Sequence, residues 1–174
     1  MSHKLESQRL YLRQICEFDR PNFDSLLQNT EVIELCFDPM TKSALKESFE
    51  SRVRSWEVSS LHWLCLAVIE KKSGQFIGIN GFRRSKEVDG GIEVGFLFLP
   101  KFQGLGYAAE SLLSVLAYSK KLGFNSANAN VTEGNYKSMK MLEKCSFNLA
   151  RIEPRSVTLN GNTYANYVFS FEYG

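Results

Sequence analysis

The sequence predicts one α+β domain covering residues 1–174, with strand–helix–strand units set inside a run of hairpins. Three observations carry that prediction. Apolar stretches near residues 63–70, 76–83 and 92–99 are separated by Lys72-Ser73-Gly74-Gln75 and Val88-Asp89-Gly90-Gly91, which predicts an antiparallel meander. The third stretch runs through Leu99-Pro100-Lys101-Phe102-Gln103-Gly104-Leu105-Gly106 into a long amphipathic segment. Residues 150–159 and 164–173 flank Asn160-Gly161, the signature of a closing hairpin.

In chain order, Arg9-Leu10-Tyr11-Leu12-Arg13 alternates and reads as an edge strand. Asp19 is placed to cap a short helix, with Pro21 tolerated in its first turn and Phe23, Leu26 and Leu27 facing inward. Thr41 or Ser43 starts the next helix, where Leu45, Phe49, Val53 and Trp56 repeat at helical spacing as far as Glu57. After the meander, a central helix is expected over residues 107–122. Leu112, Leu113, Leu116 and Ala117 form its buried stripe, and Gly123 ends it. Residues 124–131 make a short strand containing several asparagines. Asn135 or a neighbour caps a helix through Lys144, with Met139 and Leu142 inward. No internal repeat, low-complexity tract or linker interrupts this order.

Composition narrows the function classes. A chain with 44% hydrophobic and 23% charged residues has the make-up of a soluble globular protein. Its formal net charge of +2 gives no argument for nucleic acid or an anionic membrane, and neither is expected as a partner. Cys16, Cys36, Cys65 and Cys145 lie far apart, which suits reduced thiols better than a disulfide framework. With His3 and His62 the only histidines, no metal site is expected. The start of the chain is polar, unlike a signal peptide, and the longest apolar run, near residues 61–69, is half a membrane span. A cytoplasmic location is expected.

The most informative stretch is residues 92–110. An apolar strand enters a glycine-punctuated turn that opens a helix, a junction that leaves unpaired N–H groups at a positive helix end. The glycines let a bulky phosphate approach the main chain. A P-loop would need Gly-Lys-Ser/Thr after its glycines, and none follows. A dinucleotide fold would place its fingerprint at the first strand, whereas this loop sits after a meander.

Gln103, Gly106 and Ala108, with Gly104 as an extra glycine, match the cofactor motif of the GNAT superfamily of acyl-coenzyme A-dependent N-acetyltransferases, which the chain resembles. The segment from Gly134-Asn135-Tyr136-Lys137-Ser138 to Glu143-Lys144-Cys145-Ser146-Phe147 resembles that family's Asn-x-x-Ser…Glu-Lys-x-Gly-Phe, with Ser146 where a glycine is usual. Together with residues 9–13, it is most similar to the branch that acetylates ribosomal-protein N-termini. The resemblance implies a mixed, mostly antiparallel central sheet flanked by helices, with the cofactor cleft beside the fourth strand. Acetyl-coenzyme A is the implied co-substrate. The amides of Gly104, Leu105, Gly106, Tyr107, Ala108 and Ala109 would hold its diphosphate, and Gln103 would order that loop. Phe96, Leu97 and Phe98 would offer backbone groups to the pantetheine arm, and Asn135 would hold one of its amides. A backbone N–H near the splayed strand end would steady the oxyanion of direct amine attack.

The same resemblance places Glu93 as general base, although a charge on an apolar strand can also face solvent or pair with a cation. An α-amine titrates near about 7.7–8.0 and a lysine near about 10.4, so an N-terminal amine asks less of a base. Other family members use an acid at the position of Asn130 and a tyrosine at that of Leu142; both are missing here. The resembling ribosomal branch keeps a serine three residues after its asparagine, near the sulfur, which implies Ser138 as the acid candidate; it is otherwise a hydrogen-bonding partner of the cofactor or the first helical turn, with Tyr136 less favoured. Trp56, Trp63 and Phe37 line a substrate groove or are buried. Arg83, Arg84 and Lys86 form a solvated turn or meet an acidic partner. The expected acceptor is a primary amine, foremost a ribosomal-protein N-terminus. A polyamine, aminoglycoside or amino acid, and a non-catalytic acyl-coenzyme A sensor, are the alternatives. A polycation would want clustered acids, for which Glu31, Glu34 and Asp38 are the only obvious group before the meander, unless they form a polar helix face. Oligomeric state stays open, a homodimer included.

Overall fold

The computed structural model describes residues 3–174. Its strands are β1 (Lys4–Glu6), β2 (Leu10–Gln14), β3 (Leu64–Glu70), β4 (Phe76–Arg84), β5 (Gly91–Phe98), β6 (Ser126–Thr132), β7 (Asn148–Leu159) and β8 (Asn162–Glu172). Its helices are α1 (Arg20–Gln28), α2 (Thr30–Ile33), α3 (Lys42–Val53), α4 (Tyr107–Lys121) and α5 (Tyr136–Lys144). The strands form one sheet in the order β1-β2-β3-β4-β5-β6-β8-β7. Neighbours are antiparallel except β5 and β6, which run parallel. The fold is thus α+β with a mixed, mostly antiparallel sheet.

Both faces of the meander are covered, which explains its near-continuous apolar runs. On one face, α4 packs across β1, β2, β4 and β5, and α5 packs on α4. Leu64, Leu66, Ile77, Phe82, Ile92 and Val94 join Leu112 and Leu116 in that core. On the other, α1 and α3 lie on β4 and β3, and Phe23, Leu26 and Phe49 pack with Cys65 and Ile79. Strand alternation decides the faces: Ile92 and Val94 point towards α4, so Glu93 and Leu97 point towards α1 and α3.

Several sequence expectations need correction. The strand around residues 9–13 is not an edge, because β1 pairs outside it. The cofactor-side strand, fourth by sequence, is consequently β5. The second helix ends at Val53; Arg54 is extended, and Trp56, beyond the helix, packs edge-on against Phe82 and His3. Leu113 and Ala117 are exposed, because the phase of α4 buries Leu112, Val115, Leu116 and Ser119 instead. Asp19 precedes α1 without capping it. Its carboxylate turns back to accept from Cys16 N at 2.8 Å and from Arg13 Nη1 and Nη2 at 2.7 and 2.8 Å. The short elements β1 and α2 carry no periodicity from which they could be predicted.

Other expectations hold in detail. Thr41 caps α3 by accepting from Ala44 N at 3.2 Å, and Asn135 caps α5 by accepting from Ser138 N at 3.3 Å. At the far end of α5, Ser146 N bonds Glu143 O and Phe147 N bonds Leu142 O, both at 3.0 Å. This is a Schellman closure, and Ser146 occupies its left-handed position at φ 67° where glycine is usual.

Candidate active site

Strands β5 and β6 are paired only between Gly91–Glu93 and Ser126–Asn128. Beyond that point β6 follows β8 while β5 stays with β4, so the two parallel strands part. A cleft of about 430 Å³ occupies the fork, lined by Val94, Gly95, Phe96 and Leu97 on one side and by Ala129 to Thr132 on the other. The α5 cap contributes Asn135 and Ser138. An unpaired length of β5 offers main-chain donors and acceptors to an extended arm.

The glycine loop is braced from several sides. Leu99 N donates to Ile77 O at 2.9 Å, and Gln103 Nε2 donates to Phe98 O at 3.0 Å. Gln103 therefore orders the turn through its side chain. Gly104 and Gly106 have φ of 74° and 82°, a region that other residues enter only with strain. The helical ladder begins with Glu110 N donating to Gly106 O, so the N–H groups of Tyr107, Ala108 and Ala109 precede it at the positive end of α4.

Arg9 straps this loop to β2. Its Nη1 donates to Leu105 O at 3.0 Å, its Nε pairs with Glu110 at 2.6 Å, and its guanidinium lies 4.3 Å from the Tyr107 ring centre. Desolvation pushes the Glu110 carboxyl upward, but the Ser7 hydroxyl, the Arg9 N–H and the Arg9 guanidinium together hold it below the usual range. The acid in the first turn of α4 is thus neutralised where an anion would bind. Sequence reading singled out Arg9 only as part of an N-terminal motif; its contact with Leu105 joins positions far apart in the chain. Tyr107 is buried, with its hydroxyl on Glu70, so only its main chain is available to a ligand.

Glu93 reaches the cleft from the α1 and α3 face. Arg83 Nε and Nη2 donate to its Oε2 at 2.8 and 2.7 Å, and Asn130 Nδ2 approaches Oε1 at 3.4 Å. Arg83 sits opposite Glu93 in the β4–β5 register and lies 5.1 Å from the Trp63 ring centre. Arg83 is therefore neither a solvated turn residue nor a partner hook; it is the counter-ion of Glu93. Asn130 accepts in turn from Asn166 Nδ2 at 3.0 Å.

The remaining candidates sort by position. Trp63 and Phe37 line the cleft, while Trp56 is core. The Phe98 side chain is buried on the α4 face and its carbonyl is taken by Gln103, which leaves its main-chain N–H on the open side of β5. Tyr136 is 68% exposed and absent from the cleft lining, whereas Ser138 lines it. Leu142 is fully buried, so the position of the family tyrosine is a packing position here. Glu31, Glu34 and Asp38 are exposed and none lines the cleft; Asp38 instead accepts from Asn160 N at 2.7 Å, tying the terminal turn down. Among the described residues no cluster of His, Cys, Asp or Glu could hold a metal, and all four cysteines are free. No described helix is long and apolar enough to cross a membrane.

A forked parallel pair, a two-glycine turn at a helix start and a capped Asn-x-x-Ser helix meet in one cleft. Residues 9–148 match the family model described as the acetyltransferase (GNAT) domain. The chain belongs to the GNAT acetyltransferase family. This GNAT chain is an acetyl-coenzyme A-dependent N-acetyltransferase. It is similar to the uncharacterised N-acetyltransferase YoaA of Bacillus subtilis (strain 168), at 26% identity over 95% of this chain and 94% of that protein. Its fold matches that of RimL, a ribosomal L7/L12 alpha-N-protein acetyltransferase solved with coenzyme A, at a TM-score of 0.84 and 15% identity over 98% of each chain. It also matches a spermidine N-acetyltransferase from Vibrio cholerae solved with coenzyme A and spermine, at a TM-score of 0.81 and 18% identity over 95% and 96% of the two chains. At such identities these structures speak for the GNAT fold alone.

The site fits coenzyme A by its own chemistry. A Cβ at Gly106 would come within 3.3 Å of Arg9 Nη2, a tight contact that the strap must yield to, and φ of 82° strains any side chain there. Asn80, which borders the cleft, has a buried Oδ1 with no donor among the described residues and is oriented by its bond to Ser111 at 2.7 Å.

Proposed function

We propose that this GNAT enzyme transfers the acetyl group to a protein N-terminal α-amine of the ribosomal-protein type. The observation that carries this reading is that Glu93 is the only carboxylate lining the cleft among the described residues, and that it is already paired with Arg83. A polyamine would need several acids there. A lysine, with a pKa near about 10.4, would need a stronger base than an α-amine near about 7.7–8.0.

Acetyl-coenzyme A, when bound, supplies the activated acetyl thioester. The main-chain N–H groups of Gly104 to Ala109 hold the diphosphate at the positive end of α4, with Gln103 keeping the turn in shape. The free edge of β5 at the main chain of Phe96 and Phe98, with the Asn135 side chain, would align the pantetheine arm; the Leu97 main chain is turned to β4. Glu93 receives the proton of the incoming amine at Oε1, directly or through one water, while Oε2 remains with Arg83. The cap bond of α5 uses the Asn135 side chain and the Ser138 main-chain N–H. The Ser138 hydroxyl is therefore spared from capping and would relay a proton from solvent water to the departing thiolate, regaining its own proton as it gives one. A reducing, cytoplasmic setting suits the unpaired cysteines.

The test is a panel of N-terminal peptides, lysine peptides with blocked N-termini, spermidine and free amino acids, assayed for acetylation with acetyl-coenzyme A. N-terminal peptides are expected to give the highest kcat/KM. Faster turnover of spermidine or of lysine side chains would overturn the assignment.

A further inference from the structure

Arg52, in the last turn of α3, lines the same cleft as Glu93. Its Nη1 donates to Ser48 O at 2.9 Å and to Ser48 Oγ at 2.7 Å, and its guanidinium carbon lies 5.9 Å from the Phe23 ring centre. These contacts orient the head group without neutralising it. No ion pair with a carboxylate is formed by Arg52 among the described residues. Its Nε and Nη2 donors make no protein hydrogen bond among them either. Burial pushes its pKa down; Cys65 beside it pulls the other way and Arg83 adds to the lowering, but burial pushes the Cys65 thiol itself up to about 12, so near neutral pH it carries no counter-charge.

The direction of approach identifies what this cation meets. The diphosphate loop opens α4, and α4 covers the opposite face of the sheet from α3. Arg52 enters from the α3 face, as does Glu93. It therefore faces the amine side of the fork and not the nucleotide side. Around that end, Arg52 and Arg83 outnumber Glu93 in charge. A partly buried guanidinium with spare donors at the wall of a cleft is placed to meet an anion, and a carboxylate matches its planar fork.

We infer that Arg52 is a specificity residue that binds a carboxylate of the acceptor, so that the enzyme selects N-terminal segments with an acidic side chain close to the α-amine. This rests on the α-amine reading above and adds the charge of the substrate to it.

The experiment compares peptides that differ only by Asp against Asn, or Glu against Gln, at the second and third residues. The quantity read is the ratio of kcat/KM for acid over amide within one enzyme preparation, which cancels any loss of folded enzyme. Wild type is expected to favour the acidic peptide by about tenfold or more at low salt, with the preference shrinking at about 1 M salt. Arg52→Gln is expected to bring the ratio near unity, and Arg52→Lys to restore part of it. Equal rates on the wild type, or a preference that survives in Arg52→Gln, overturns the inference. If free acidic amino acids react with an Arg52-dependent preference while no peptide does, the carboxylate site stands and the protein N-terminus reading falls. Preference for spermidine overturns both.

Discussion

Arg83 sends two N–H donors, Nε and Nη2, to one oxygen of Glu93, at 2.8 and 2.7 Å, and leaves the other oxygen to Asn130 and the cleft. The pair is formed across the β4–β5 ladder, with Trp63 beneath the guanidinium. Side-chain exposures of 27% for Arg83 and 17% for Glu93 make it a partly desolvated clamp and not a surface ion pair. Its function is orientational: one carboxylate oxygen is anchored so that the other keeps a fixed direction.

Substitutions at this pair are expected to be non-additive. Glu93→Gln should lower kcat/KM for an N-terminal peptide by about 100-fold or more, leaving coenzyme A affinity within about twofold. Arg83→Gln should cost about tenfold by loosening Glu93. The double variant should match Glu93→Gln alone, because Arg83 acts through that carboxylate. Losses that simply multiply would show that Arg83 serves the reaction independently.

Gly106→Ala tests the cradle. An alanine at φ 82° is strained by about 1–2 kcal/mol, and its methyl group crowds Arg9. Calorimetric affinity for coenzyme A should fall about tenfold or more, while kcat at saturating cofactor changes little. An unchanged dissociation constant would place the diphosphate elsewhere.

Asp19 ties the stability of the α1 face to pH. Desolvation pushes its carboxyl upward, but the Arg13 guanidinium and the Cys16 N–H outweigh it, so the folded-state pKa lies below the ordinary value. For such a group the stabilisation is present above the unfolded pKa, near about 3.9, and is lost as pH falls through the lower folded value. Asp19→Asn should therefore cost about 1–3 kcal/mol at pH 7 in urea melts, with the gap to wild type closing below about pH 4. A gap that is constant with pH would contradict the ion pair.

Ser146→Gly should stabilise the enzyme. Removing the side chain relieves a left-handed residue that costs about 1–2 kcal/mol, less the added freedom of glycine in the unfolded chain, for a net gain of about 0.5–1 kcal/mol. Thermal unfolding should shift upward by about 1–4 °C. A lowered midpoint would mean that the Ser146 side chain makes a compensating contact.

Legibility from sequence followed how local each signal was. The meander, the terminal hairpin, the helix starts at Thr41 or Ser43 and at Asn135 or a neighbour, and the glycine turn before α4 depend on neighbours within a few residues, and were readable. The Leu112 and Leu116 half of the α4 stripe was readable too. Its other half was misjudged, because Leu113 and Ala117 are as apolar as the Val115 that packs instead. Asp19 has the chemistry of a cap, yet the nearby Arg13 claims its carboxylate. Of the candidate site, the glycine loop and the Asn135–Ser138 turn could be placed by motif, whereas the partner of Glu93 could not.

From residues alone came the family, the strand-to-helix junction at Gly104 and Gly106, and the capped α5, since each is a demand of the local backbone on particular residue types. Tertiary structure alone decided that Arg83 clamps Glu93, that Arg9 straps Leu105, and that Arg52 lines the cleft from the α3 face. Those contacts follow from strand register and helix phase. Both are set by burying two apolar faces of one sheet, a property of the whole chain that no short segment contains.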